Sequence, residues 1–372
     1  MTLRWRGTYN RLSMSRRRIF ALILLVATLP FVPLVVRAQQ PSGEAKPQSP
    51  SPPQSTAPNQ QPAQQSNQTF TREVTLVDVL FTVLNRRNKL VPDLDKVDFK
   101  VLDEGKPQEI RFFSKQTDLP LRIGILMDTS NSIRDRLKFE QDASVNFLFS
   151  VLRRNKDEAF VMTFDDEPQI IQAFTSDTGA LRDEITRTRA GGGTAIYDAI
   201  YEACIKQLNH PPRPPGDQPD VVRRVMILIS DGEDNLSTHT RSEAIEMAQR
   251  TSVVIYTIST STNWILTDQE AGRGDLSNRK YMKDEGDKVL QQFSDESGGR
   301  AFFPYHADDL AQSFSYIGQE LRTQYSLAYV PPRVADGKFH KIRIEVNAKG
   351  LQVRARRGYY ATVAEGTPSA AR

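Results

Sequence analysis

The middle of the chain, about residues 120–322, alternates short apolar runs with stretches in which apolar side chains recur every three or four residues. The apolar runs LRIGILM, EAFVMTF, RRVMILIS and VVIYTIS have the length of buried strands, and the stretches between them have the period of amphipathic helices. Such an alternation favours a mostly parallel sheet that is covered by helices on both faces. We therefore predict a doubly wound α/β domain over 120–322, with helices at 133–153, 178–188, 241–250, 286–297 and 307–322.

The segments on either side of this domain have a different pattern. Residues 71–119 and 323–362 alternate apolar and polar side chains, as in VTLVDVLFTVLN and FHKIRIEVNA, and turns such as Glu104-Gly105 separate the runs. Neither segment has enough strands to form a stable sandwich alone. We predict that the two pair as one small antiparallel β-domain into which the α/β domain is inserted. Two separate small sheets are the alternative.

The two ends of the chain are predicted to lie outside these domains. Residues 1–38 are typical of an export signal, because arginines precede an apolar run and Ala38 offers a small residue for cleavage. The apolar run, 19–36, is just long enough to anchor the chain in a membrane if the signal is retained. Residues 39–70 are almost all Pro, Gln, Ser and Asn, so we predict a disordered linker, and 363–372 a disordered tail.

The charge balance and the cysteine content argue against a nucleic-acid-binding protein and against a disulfide-bonded one. The signal holds seven of the 49 basic residues and no acidic one, so the remainder has 42 basic against 45 acidic residues, a net charge of −3. This balance does not call for a nucleic-acid partner. The single cysteine, Cys204, excludes an internal disulfide and falls on the apolar face of a predicted helix, where a buried thiol is expected. We predict an exported protein that is periplasmic, extracellular or on the cell surface.

Oxygen-bearing side chains follow two of the apolar strands and one glycine run. Asp128, Ser130 and Ser132 alternate directly after LRIGILM, so in an extended segment they point the same way. Asp231 follows RRVMILIS, and Thr194 follows three glycines just before a helix. In a doubly wound sheet, ligands bind beyond the carboxyl ends of the strands. Carboxylate and hydroxyl oxygens there suit a hard cation such as Mg²⁺.

The three motifs DTSNS, GGGT and SDGED resemble the metal-ion-dependent adhesion site (MIDAS) of von Willebrand factor type A domains, and they occur in the order and spacing of that family. The resemblance implies that Ser130, Ser132 and Thr194 contact a divalent cation directly, while Asp128 and Asp231 hold it largely through water. It implies Mg²⁺, Mn²⁺ or Ca²⁺ as the cation. With only two charged ligands the cation keeps an open position, which the Asp or Glu carboxylate of a protein partner would fill.

The segment VDFKVLDEGKPQEIRFF, which leads into the first central strand, is similar to segments that flank this domain in a group of exported bacterial proteins. That similarity supports export and the insertion architecture, but implies no ligand. The tripeptide RGD at 273–275 lies in a long polar insertion, where a solvated turn is the expected structure.

Three functions remain open at this point. The first is a non-enzymatic binding or adhesion protein that captures an acidic residue through its cation. The second is a structural or assembly scaffold whose interface does not need the metal. The third is a metal-dependent hydrolase, which no nucleophile motif supports. For Ser132 alone, an N-cap of the following helix is a further explanation.

Overall fold

The computed structural model describes residues 76–115, 119–209, 222–261, 283–304, 307–332 and 336–361. The predicted signal, linker and tail lie outside these ranges, as does the RGD tripeptide. Within the described ranges, no helix is both long and apolar enough to cross a membrane.

The described elements, in chain order, are as follows. The strands are β1 (Val77–Asn85), β2 (Phe99–Asp103), β3 (Lys106–Gln108), β4 (Ile110–Ser114), β5 (Leu121–Asp128), β6 (Glu158–Phe164), β7 (Pro168–Thr175), β8 (Arg223–Ser230), β9 (Val254–Ser259), β10 (Ala301–Phe302), β11 (Tyr325–Tyr329), β12 (Phe339–Val346), β13 (Leu351–Ala355) and β14 (Gly358–Tyr360). The helices are α1 (Leu137–Val151), α2 (Thr178–Arg187), α3 (Ile196–Glu202), α4 (Arg241–Arg250), α5 (Glu285–Ser297) and α6 (Ala307–Thr323).

The central sheet has the strand order β10-β9-β8-β5-β6-β7, in which neighbouring strands are parallel except for the antiparallel pair β6 and β7. One face of the sheet packs on α1, α2 and α6, and the other packs on α3, α4 and α5. Strand β5 is buried on both faces, and its Gly124 has no room for a side chain, since an added Cβ would lie 2.5 Å from the ring of Phe160. The predicted doubly wound sheet is confirmed.

The flanking segments form two antiparallel sheets of order β13-β1-β11-β4 and β14-β12-β2-β3. In the first, β1 lies between two strands from the C-terminal segment, with Phe81 opposite both Tyr325 and Ala355. In the second, β12 pairs with β2. An apolar cluster, in which Phe81, Phe99 and Tyr325 pack ring against ring, fills the space between the sheets. Each sheet therefore takes strands from both flanking segments. The alternative, in which each flanking segment forms a sheet of its own, is wrong.

Two helix predictions need correction. Helix α1 begins at Leu137 and not at 133, because 131–133 form a 3₁₀ turn and 134–136 a further turn. The helix that carries Cys204 is α-helical only to Glu202 and continues as a π-helical turn over 203–208. Cys204 is fully buried, and burial raises the pKa of its thiol to about 12.

Candidate metal centre

The candidate centre lies where β5 and β8 end at the same edge of the central sheet. The register places Met127 of β5 beside Ile229 of β8, so Asp128 and Ser230 leave the sheet side by side. Because parallel neighbouring strands end at one edge, residues 102 positions apart in sequence meet there.

Asp128 is the most deeply buried residue of this centre. Its Oδ1 accepts a hydrogen bond from the backbone N–H of Ser130 at 2.9 Å, and its Oδ2 accepts one from Ser230 Oγ at 2.7 Å. The pKa of the Asp128 carboxyl is raised to about 6: burial is the main cause, the hydrogen bonds from Ser130 and Ser230 oppose the rise, and the charge of Asp231 adds to it. The carboxyl is therefore held in one orientation while it keeps its charge at neutral pH.

A chain of oxygen atoms runs from Ser130 to Asp231. The hydroxyl oxygens of Ser130 and Ser132 lie 2.9 Å apart, and Ser132 Oγ donates to Asp231 Oδ2 at 2.8 Å. Ser130 is buried, whereas Ser132 is exposed. The oxygen set therefore starts beneath the surface at Asp128 and reaches solvent at Ser132.

Thr194 lies on the glycine-rich loop between these two strand ends. Gly191 N–H donates to the Thr129 carbonyl at 2.7 Å, which fastens the loop to the segment after β5. The N–H of Thr194 donates to Asn235 Oδ1 at 2.9 Å, which fastens it to the segment after β8. The loop turns at Gly192, whose φ of +74° is unfavourable for other residues. Thr194 is buried between the two segments that carry the other four predicted residues.

The donor chemistry of these five residues fits a hard divalent cation. Three neutral hydroxyls and two carboxylates, with no nitrogen or sulfur, are ligands that Mg²⁺, Mn²⁺ and Ca²⁺ accept. Among the described residues, no group of three or more His, Cys, Asp or Glu side chains is arranged to hold a metal ion. The hydroxyls of Ser130, Ser132 and Thr194 would therefore have to complete a site that its carboxylates alone do not form.

The N-cap explanation of Ser132 is wrong. Helix α1 begins at Leu137, five residues later, and no side chain caps it. The Ser132 hydroxyl donates to Asp231 instead. Nearby acidic residues do have structural roles: Asp234 Oδ1 accepts from Ile196 N–H at the start of α3, and Asp198 accepts from the N–H groups of Thr238 and His239.

Three residues near the centre were missed at the sequence level. Ser230 and Asn235 hold Asp128 and the Thr194 loop, respectively. Both belong to the segment ISDGEDN, in which only Asp231 was predicted to hold the cation. The third is Glu140 on α1, which is 1% exposed. A glutamate within the apolar stripe of an amphipathic helix is a signal that the sequence does contain.

Comparisons with known proteins bear on the central domain. Residues 123–233 match the family model described as the von Willebrand factor type A domain, and this range includes all five predicted site residues. No curated protein matches the chain.

Several solved structures are similar to this chain at low sequence identity. An aerotolerance-related membrane protein from Bacteroides fragilis is 18% identical over 54% of this chain and 98% of its own, with a TM-score of 0.39. A von Willebrand factor type A protein from Catenulispora acidiphila is 12% identical over 80% of this chain and 76% of its own, with a TM-score of 0.43.

Proximal thread matrix protein 1 from the mussel byssus, solved with a zinc-occupied MIDAS motif, is 15% identical over 59% of this chain and 50% of its own, with a TM-score of 0.42. All of these TM-scores are low, so the assignment of the domain rests on the family match and on the observed sheet. The central part of this chain is a von Willebrand factor type A domain, the family that its strand-end motifs resemble.

Proposed function

We propose that this chain is an exported, non-enzymatic binding protein that captures an acidic side chain of a protein partner through a divalent cation. Ser130, Ser132 and Thr194 would hold the cation directly, and Asp128 and Asp231 would hold it largely through water. Mg²⁺ is the expected cation, with Mn²⁺ and Ca²⁺ as alternatives. The observation that carries the proposal is the hydrogen-bonded set that runs from buried Asp128 through Ser130 to exposed Ser132 and half-buried Asp231.

The charge of the donor set supports capture of a carboxylate. Three of the five donors are neutral, and the two carboxylates together carry a charge of −2. This charge balances that of a divalent cation but leaves no excess negative charge to repel a further anion. The exposed Ser132 marks the side from which a partner can approach. A partner carboxylate that meets the cation there would make a charge-assisted contact, strengthened because the centre is partly removed from water. When bound, the cation supplies the positive charge that this contact requires.

The second candidate, a scaffold with a metal-independent interface, is favoured by one observation on the β-domain. Strand β4 is at the edge of its sheet and exposes 61% of Phe112. A large apolar side chain on a sheet edge is a feature of interaction surfaces. This surface would work in the absence of any cation.

The deciding experiment is isothermal titration of the full chain with Mg²⁺, followed by capture of crosslinked partners with and without chelator. We expect Asp128→Ala to abolish both Mg²⁺ binding and chelator-sensitive capture. Asp135→Ala, which removes an exposed carboxylate of the same loop, is the matched control and should behave as the wild type. Capture that survives both chelator and Asp128→Ala would support the scaffold instead.

A further inference from the structure

Glu140 is a buried carboxyl without a partner. It lies on the buried face of α1, which also carries Leu137, Ser144 and Phe147. Its side chain is 1% exposed, and neither of its oxygens has a hydrogen-bond partner. Arg136, one turn earlier, donates to the carbonyl of Thr260 at 3.0 Å. Buried glutamates are almost always paired, so this one calls for an explanation.

The charges that act on Glu140 are those of the candidate centre. Its pKa is raised to about 8: burial is the main cause, the charges of Asp128 and Asp231 contribute to the rise, and the charge of Arg136 opposes it. Hydrogen bonds also connect this turn of α1 to the site, because Arg136 donates to the carbonyl of Thr260 and the N–H of Thr260 donates to the carbonyl of Ser230 at the end of β8. It is eight residues beyond Ser132, the nearest proposed ligand in sequence, and makes no hydrogen bond to any of the five.

A purely structural role does not account for this residue. An unpaired carboxyl in a protein interior costs several kcal/mol when charged, whereas a glutamine or an apolar residue of similar size would cost less. With a divalent cation at the centre, the charged carboxyl becomes favourable, because its charge attracts the cation. Three carboxylates together with Arg136 carry a net charge of −2, which a divalent cation neutralises.

We infer that Glu140 acts as a third carboxylate of the cation site, one that holds a divalent cation through its charge without contacting it. The inference rests on the proposed function, because it needs a cation bound by the five predicted residues. It assigns a role in cation binding to a residue of α1, which lies outside the three motifs DTSNS, GGGT and SDGED. It also explains how the centre would retain its cation before a partner carboxylate arrives, since the supporting charge comes from the chain itself.

A consequence is that cation binding releases a proton. Without a cation at pH 7, Glu140 is mostly protonated, because its pKa of about 8 lies above the pH. A nearby divalent charge lowers that pKa, so the carboxyl ionises and its proton passes to the buffer. Asp128, with a pKa of about 6, is mostly ionised already and contributes little. We therefore expect close to one proton released per Mg²⁺ bound at pH 7.

The test is titration of the full chain with Mg²⁺ at pH 7 in two buffers of different ionisation enthalpy, which counts released protons. We expect Glu140→Gln to weaken Mg²⁺ binding by roughly 10- to 100-fold, the range typical of residues that support a metal site without ligating it. The same variant should abolish the proton release and raise the melting temperature of the metal-free protein. Glu140→Asp keeps the charge and should keep the proton release, and Asp142→Asn, exposed on the same helix, is the control.

The outcomes separate this inference from the function on which it rests. If the wild type binds no Mg²⁺, the proposed function fails. If the wild type binds Mg²⁺ but Glu140→Gln binds it equally well with the same proton release, only the role of Glu140 is overturned. Should Glu140→Gln fail to fold, the proton count of the wild type decides, because a count near zero contradicts the inference and a count near one supports it.

Discussion

At the scale of single residues, Asp128 combines a structural cost with a proposed function. Its ordinary pKa of 3.8 is raised to about 6 in the folded chain, mainly by burial. A carboxyl whose pKa rises on folding costs no stability below its ordinary pKa. The cost grows as the pH rises toward the folded pKa and is constant above it. A shift of this size corresponds to about 2–3 kcal/mol.

This cost leads to a prediction for Asp128→Asn. We expect the metal-free variant to have a free energy of unfolding about 1–2 kcal/mol higher than that of the wild type at pH 7, and an equal one near pH 3. We also expect Mg²⁺ to raise the melting temperature of the wild type but not that of the variant. Denaturant titrations at the two pH values, with and without Mg²⁺, measure both effects. A metal-free variant that is less stable at pH 7 would contradict the prediction.

The site residues differ in how far the sequence could have identified them. Asp128, Ser130, Ser132, Thr194 and Asp231 were predicted because each follows a strand or a glycine run, and strand ends meet at one edge of such a sheet. The structure brings four of them into one hydrogen-bonded set and places Thr194 on a loop fastened to both sides. The helical periodicity could have shown that Glu140 is buried, but not that the charges of Asp128 and Asp231 act on it, because those residues come from other segments of the chain.

At the scale of elements, Asp157 ties three parts of the central domain together. Its side chain is fully buried and accepts hydrogen bonds from Leu121 N–H at the start of β5, from the Arg153 guanidinium and from Arg322 on α6. Although burial opposes it, these bonds lower the pKa of Asp157 from 3.8 to about 2. The carboxylate therefore joins β5, the turn after α1, and α6.

Asp157 sets a second prediction, which concerns pH. A carboxyl whose pKa falls on folding contributes stability that is fully present above its ordinary pKa and is lost as the pH falls through its folded pKa. We expect Asp157→Asn to lower the free energy of unfolding by at least about 2 kcal/mol at pH 7 and by much less near pH 2. Asp183→Asn, on the exposed surface of α2, is the control. A pH-independent difference between Asp157→Asn and the wild type would contradict the assignment.

Element boundaries were predicted well only where local signals fix them. Helix α4 was predicted at its observed bounds, and its first turn is held by a capping box between Thr240 and Glu243. Helix α1 was predicted four residues too long at its start, because the segment after Ser132 has helical periodicity but follows the geometry of the site loop. The competing tertiary contacts, such as Asn131 N–H to the Gly192 carbonyl, come from the glycine-rich loop.

At the scale of the whole molecule, the two domains share a buried polar centre around Glu320. This residue of α6 is fully buried and accepts from Thr82 Oγ1 of β1 at 2.8 Å and from Tyr256 OH of β9 at 3.0 Å. It also forms an ion pair with Arg354 of β13. A buried carboxylate with this set of partners is satisfied only when both domains are in place.

The pairing of β1 leads to a prediction about truncation of the chain. Because β1 lies between β11 and β13, a chain that ends at Thr323 loses both partners of β1 and the Arg354 partner of Glu320. Exposed strand edges of this kind promote aggregation. We expect the truncated chain to be recovered in aggregates, and the full chain to be soluble under the same conditions. A soluble truncated chain with an unchanged melting temperature, measured by size exclusion and calorimetry, would show that the central domain does not need the β-domain.

The sequence by itself determined the class of the central domain, the antiparallel character of its flanks and the residue types at the strand ends. These follow from short-range periodicity and from the rule that strand ends share an edge. The tertiary structure decided which strand of one flank lies beside which strand of the other. It also decided that Ser132 donates to Asp231, that Glu320 joins the domains, and that Glu140 is buried without a hydrogen-bond partner. Each of these is set by packing between segments far apart in the chain, which no local pattern of residues records.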